Sequence, residues 1–319
     1  MRKVSDVRVV ATSTLVSAFD VTLNLIVALA TGSTVMLSQA LQGTSDLATG
    51  GLLFVGVRRS QRKADHRFPF GYGREIYFWA LIASMIMFAG TGAASLYFGY
   101  RQVVDPSPVE HLWLAFAMLL FGALTNGYAL SLSIHRMRQD DDASTVPWWR
   151  HLWRSSLIET KATLTIDLLG TSAAVLGLAA LGTYWATGLT QFDGVGSLAI
   201  GVAMMAGAAL LMRDLRDLIV GRGVDANTRA RLGGAALSVP GVQSVLDLLT
   251  MYVGSSKLFV VLELHLTDGL TTDDIELITD EVKDQVRDAV PLVHHIQVEI
   301  ETPVDEVLPP RHALRRRKR

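Results

Sequence analysis

Long apolar runs alternate with short polar ones over the first two-thirds of the chain, and then the pattern changes. Six runs are long and apolar enough to cross a bilayer, which takes about 20 residues. They cover residues 9–30, 35–57, 77–100, 111–134, 164–184 and 195–212. Gly32-Ser33 makes a tight link between the first two spans, and Asp105-Pro106-Ser107-Pro108 joins the third to the fourth. Beyond about residue 222 the pattern is that of a soluble domain. Residues 225–239 read as a helix stopped by Pro240-Gly241, and 245–253 and 257–267 read as strands. The second strand alternates, with Phe259, Val261, Glu263 and His265 on one face and Val260, Leu262, Leu264 and Leu266 on the other. Thr271 or Thr272 caps a helix that carries Ile275, Ile278, Val282 and Val286 on one side, and a last strand covers 293–300. The order α-β-β-α-β predicts a compact two-layer domain. The expected organisation is a six-helix membrane domain over 1–221, a cytoplasmic α+β domain over 222–303 and a basic, disordered tail over 304–319.

Composition agrees with this division. Half of the 319 residues are hydrophobic and only 18% are charged, below the roughly 25% of a soluble domain. There is no cysteine, which excludes disulfides, thiolate metal sites and cysteine nucleophiles. The net charge of -1 hides a strong asymmetry. Arg58, Arg59, Arg62, Lys63, Arg67 and Arg74 lie between spans two and three. Arg136, Arg138, Arg150 and Arg154 lie between spans four and five, and Arg213, Arg216 and Arg222 follow span six. The opposite loops hold little beyond Arg101. The positive-inside bias therefore places both termini in the cytoplasm of a plasma or inner membrane. Trp113, Trp148, Trp149, Trp153, Tyr184 and Trp185 lie near span ends, as interfacial aromatics do. Met1-Arg2-Lys3 leads into a long apolar stretch without a small-residue cleavage site, so the first span is expected to be retained.

Ionisable groups inside a bilayer cost at least about 2.5 kcal/mol each, so each needs a reason. Span one holds Asp20 and Asn24, span two Gln42 and Asp46, and span five Asp167 and Thr171. Each pair is spaced i, i+4, on one helical face. Three helices thus each offer two oxygen-bearing side chains. Oxygen ligands converging between helices make a cation site, and two carboxylates neutralise a divalent ion. The plainer reading is that these residues only hydrogen-bond neighbouring helices. Glu159 lies eight residues before Asp167, about 12 Å along a helix, too far for both to hold one ion. No Gly-rich phosphate loop, nucleophile elbow or zinc-protease motif is present, so no enzyme is expected. The bilayer is an expected partner and nucleic acid is not.

The stretch Asn24…Gly32-Ser33…Gln42-Gly43-Thr44-Ser45-Asp46 resembles the first two spans of the cation diffusion facilitator family. So does the loop Ala64-Asp65-His66-Arg67-Phe68-Pro69-Phe70-Gly71-Tyr72-Gly73-Arg74-Glu75, with one inserted residue. Phe192-Asp193-Gly194-Val195-Gly196-Ser197 and the Gly221…Asp225 junction are similar as well. The likeness covers residues 10 to 302 and is greatest to the branch of the animal mitochondrial zinc exporter. It implies a homodimer, six spans, a metallochaperone-like, ferredoxin-like cytoplasmic domain, and proton-coupled alternating-access export of zinc or a related divalent ion. The cation is the cargo, zinc first and manganese next, and no cofactor is implied. The family's transport site carries His-or-Asp-x-x-x-Asp in span two and His-x-x-x-Asp in span five. Gln42 and Asp46 match the first pair, and Asp167 and Thr171 the second. His265 resembles a metal ligand of the family's cytoplasmic domain, with His294, His295 and Glu299 as neighbours if the last strand joins the same sheet.

Two departures bear on the cargo. Gln42 stands where the family has His or Asp, and Thr171 where it has Asp. No histidine remains among these candidate transport-site residues, and an all-oxygen set suits manganese or another hard ion better than zinc. Two readings compete with transport: a membrane metal sensor or scaffold whose transport site is degraded, and a proton-coupled carrier of a small organic cation.

Overall fold

The computed structural model describes residues 6–139 and 158–303, with side-chain surroundings for 17–135 and 163–303. Trp148, Trp149, Trp153, Arg150, Arg154 and the tail 304–319 lie outside the described residues. So do the surroundings of Arg136, Arg138, Glu159 and Lys161. The chain divides into two compact units, Met1–Val220 and Gly221–Arg319.

The first unit is helical: α1 (Asp6–Thr31), α2 (Thr34–Ser60), α3 (Glu75–Ile86), α4 (Ala93–Val104), α5 (Leu112–Gln139), α6 (Ile158–Thr187) and α7 (Gln191–Val220). α3 and α4 form one rod, joined through a π-helical stretch, Met87–Gly92. Six rods therefore stand where six spans are expected. Among the described residues, four of them are long and apolar enough to cross a membrane: Glu75–Val104, Leu112–His135, Thr163–Thr187 and Gln191–Val220. Ser17–Thr31, the part of α1 with described side chains, is apolar as well, and α2 is more polar. α2 occupies one of the six span positions although its own surface is polar. The reason is packing. α2 touches α1, α3, α4, α6 and α7, and its Ser38, Gln39, Gln42, Ser45 and Thr49 are buried. A helix enclosed by other helices does not need an apolar surface toward lipid.

Small residues and a buried acid set the contacts. α4 and α7 approach through glycine: a Cβ on Gly194 would lie 2.7 Å from the Gly99 carbonyl oxygen, and one on Gly99 would lie 2.8 Å from that of Gly194. No larger residue fits there without parting the helices. Asp193, fully buried at the start of α7, caps α2 from another helix. Its carboxylate accepts from the Ser33 hydroxyl at 2.5 Å and from the N–H and hydroxyl of Thr34, each at 2.7 Å. It also accepts from the Val35 N–H at 3.2 Å. These are donors that a helix start leaves unpaired, and an anion there also complements the helix dipole. Ser38 meets Ser197 at 2.7 Å, and Ser45 meets Thr91 of the π-helical stretch at 2.5 Å.

The second unit contains α8 (Ala226–Leu237), β1 (Val242–Gly254), β2 (Lys257–Leu266), α9 (Thr272–Ala289) and β3 (Val293–Ile300). The sheet order is β1-β2-β3, antiparallel then parallel. β2 alternates as its sequence predicts, with Leu258, Val260, Leu262, Leu264 and Leu266 buried. Asp225 caps α8, and Thr271, not Thr272, caps α9 in a reciprocal box with Asp274. The hydrogen bonds that Asp225 and Asp274 accept from Thr228 and Thr271 hold both carboxyls below the usual carboxylate range; at Asp225 they outweigh its partial burial.

Candidate metal site between the membrane helices

The polar pairs of α2 and α6 face one another. A Cβ placed on Gly170 of α6 would lie 2.8 Å from the Gln42 side-chain nitrogen of α2. It would also lie 3.2 Å from the carboxamide carbon of Asn126 on α5. Two carboxamides from different helices thus rest on the bare backbone of a third. Successive crossings run in alternate directions, so α2 and α6 are antiparallel. Asp46, about 6 Å beyond Gln42, and Asp167, about 4.5 Å before Gly170, then lie toward the same end of the bundle.

Each acid has a neutral donor. Gln42 Nε2 donates to Asp46 at 3.3 Å, Asn24 Nδ2 donates to Asp20 at 3.1 Å, and Ser133 of α5 donates to Asp167 at 2.5 Å. Thr171 gives its hydroxyl proton to the Asp167 carbonyl of its own helix at 2.7 Å, which leaves oxygen lone pairs for another partner. Gln42 is 4% exposed, and its side-chain oxygen is buried without a hydrogen-bond partner among the described residues. An acceptor left unpaired in this way costs about 1–3 kcal/mol.

Sequence reasoning missed Asn126 and Ser133. They lie seven residues apart on α5, two helical turns, and so on one face. Their polarity within an apolar span was the available signal. Among the described residues, no three His, Cys, Asp or Glu side chains stand close enough to hold an ion together. A cation here would therefore rely on amide, hydroxyl or water oxygens beside the carboxylates.

In the second unit the strand register corrects one expectation. β3 joins the sheet, but its parallel pairing sets His295 beside Phe259 and Glu299 beside Glu263. His295 is then six residues along the sheet from His265, about 20 Å. His265 Nδ1 instead meets the Glu301 carbonyl at 3.2 Å. The register also lines up Asp247, Glu263 and Glu299 across the three strands. Burial, with the charges of Asp247, Glu301 and Glu299, pushes the Glu263 carboxyl up.

A polytopic helical unit with half-buried acids between its helices, followed by a small α+β unit, defines an integral membrane protein of the transporter class. Residues 10–220 match the cation efflux transmembrane domain, and residues 224–303 match the cytoplasmic domain of cation efflux proteins. The chain belongs to the cation efflux family. It is 26% identical over 265 residues to the mitochondrial proton-coupled zinc antiporter SLC30A9 of Xenopus laevis, over 81% of this chain and 47% of that protein. It is also 26% identical over 290 residues to the cation-efflux pump FieF of Shewanella oneidensis, over 88% of this chain and 90% of the pump. A solved nickel form of a MamM CTD aligns at 23% identity over 25% of this chain and 99% of that one, with a TM-score of 0.24. The chain spans less than half the length of the zinc antiporters it matches. These relatives are transporters and pumps, not enzymes.

Proposed function

We propose that the protein exports a divalent transition-metal cation across its membrane by alternating access, in exchange for protons. Asp46 and Asp167 are the principal ligands. Gln42, Thr171, Asn24, Asp20 and water complete the path. The observation that carries this reading is the meeting of Gln42 with the α6 backbone at Gly170, which sets the acid-bearing faces of α2 and α6 against each other. Two carboxylates balance a doubly charged ion and lower the cost of its desolvation. When the ion leaves, a proton on a buried carboxylate relieves the same penalty. Zinc is the first choice because relatives carry that name. Manganese is next, because the donors on hand are oxygens.

The unit is a homodimer, a reading supported by the match of the second unit to the family's cytoplasmic domain. The arginine-rich loops support a cytoplasmic location for both termini. FieF, matched over most of its length, supports a bacterial-type inner membrane, and SLC30A9 a mitochondrial one.

The test is metal-dependent flux in proteoliposomes, with zinc and manganese each tried alone and against a pH gradient. Asp46→Ala and Asp167→Ala should each abolish it. Parental flux in both variants would end the assignment. Metal-induced change in the second unit without flux in the parent would favour a sensor.

A further inference from the structure

The loop between α2 and α3 has a built structure that transport chemistry does not use. Asp65 organises it. One carboxylate oxygen accepts from the N–H groups of Arg67 at 2.9 Å and Phe68 at 2.8 Å, and the other accepts from the Tyr72 hydroxyl at 2.6 Å. The Asp65 N–H returns a bond to the Phe68 carbonyl at 3.2 Å, and Gly71, at φ +81°, gives the same carbonyl a second donor at 2.9 Å. The Phe68 and Tyr72 rings pack at a tilt of 51°, with centroids 4.6 Å apart. Arg62 lies 5.7 Å from the Tyr72 ring and Arg67 5.5 Å from the Phe68 ring. The Tyr72 hydroxyl and the backbone donors hold the Asp65 carboxyl below the usual range, so the network persists at neutral pH.

What this framework presents is a mixed surface. Every residue from 61 to 70 is exposed, Phe68 at 41% and Phe70 at 60%. Arg62, Lys63 and Arg67 stand beside them, and Asp65, the only acid from 61 to 74, is already engaged. Exposed Phe54 on α2 and Phe78 on α3 mark the lipid-facing band next to the loop. Phe54 is about 9 Å of helix from Ser60, and Phe78 about 4.5 Å from Glu75. The headgroup layer is about 5–7 Å deep, so the α3 end of the loop starts inside it and the α2 end reaches its outer edge. Aromatic rings with neighbouring arginines suit that layer, where rings meet the acyl boundary and guanidinium groups meet phosphate.

We propose that the 61–74 loop is a preformed anchor for anionic phospholipid, with Phe68 and Phe70 entering the interface while Arg62, Lys63 and Arg67 take headgroup phosphates. This does not depend on which ion is carried.

The absence of cysteine makes a direct test available. Phe70→Cys in the full chain takes a single nitroxide label, and Phe54→Cys supplies a lipid-buried reference. Each is reconstituted in phosphatidylcholine vesicles with and without phosphatidylglycerol, and collision with oxygen and with a water-soluble nickel chelate is measured. The oxygen-to-chelate ratio at position 70 should rise at least about twofold when phosphatidylglycerol is present. Replacing Arg62, Lys63 and Arg67 by Gln should remove that rise while the ratio at position 54 stays put. Asp65→Ala should loosen the label and weaken the response. A ratio at position 70 that is water-like and equal in both lipids overturns the proposal. So does a label shielded from both reagents in both lipids, because a protein surface then covers the loop.

Discussion

Ser133 on α5 donates its hydroxyl to the Asp167 carboxylate on α6 at 2.5 Å, tying a residue of the candidate site to a helix that contributes none of the residues expected there. The bond fixes one carboxylate oxygen in space. Hydrogen bonds to charged groups contribute about 1.5–3 kcal/mol. Ser133→Ala should therefore leave the fold intact and raise the KM for metal about tenfold, the equivalent of some 1.4 kcal/mol. Flux measured against metal concentration checks this, and Ser133→Thr, which keeps the hydroxyl, should restore most of the loss.

Gly170→Ala should separate site geometry from stability. The new methyl would press on the ends of two side chains, Gln42 and Asn126, and those ends can turn aside. The melting temperature should fall only modestly, since overpacking costs about 1–3 kcal/mol and here flexible side-chain ends, not backbone, must give way. Flux should fall at least about tenfold, because an error near 1 Å in ligand placement is costly. Parental flux in this variant would show that the carboxamides do not line the path. Asn126→Asp is the companion experiment: an added carboxylate should shift preference toward the harder ion, read as the ratio of manganese to zinc flux.

Asp193 should matter for stability and little for cargo choice. It is fully buried, and Asp193→Ala leaves the Ser33 hydroxyl, the Thr34 N–H and hydroxyl and the Val35 N–H without their acceptor. Each buried donor left without its acceptor costs about 1–3 kcal/mol. Thermal unfolding in detergent should show a large fall in melting temperature, with Asp193→Asn intermediate because it keeps one oxygen.

The second unit should respond to pH in two opposite ways. Glu263 has its folded carboxyl raised above the ordinary 4.5 by burial and by Asp247, Glu301 and Glu299. Its contribution is full below that ordinary value and is lost as pH rises through the raised one. Glu263→Gln should therefore stabilise the sheet at neutral pH, with the gain shrinking toward about pH 4.5. Asp225 and Asp274 are depressed below 3.8 by the bonds they accept from Thr228 and Thr271, at Asp225 against the pull of its own burial. Their contribution is present above that value and is lost as pH falls through the depressed one. Proteolysis of β2 in the full chain, followed across pH, reads both effects.

Helices and strands were legible because each follows from neighbours in the chain. Apolar runs of bilayer length predicted the six rods, and strict alternation predicted the buried face of β2. Both helix starts of the second unit were legible to within a residue, since a cap acts on residues two or three places on: Asp225 opened the expected first helix, and Thr271 was one of two candidate caps for the second. The polar pairs on α1, α2 and α6 could be seen from their four-residue spacing and from the cost of charge in lipid.

What the chain could not announce was partnership at long range. Only the packing of the helices brings Gln42 and Asn126 together over Gly170, gives Asp167 the Ser133 hydroxyl, and seats Asp193 at the start of α2. Only the parallel pairing of β3 separates His295 from His265. Local periodicity reports which face of an element avoids water. It carries no record of which element will cover that face, because that choice is made by shape and by buried donors seeking acceptors across the whole fold.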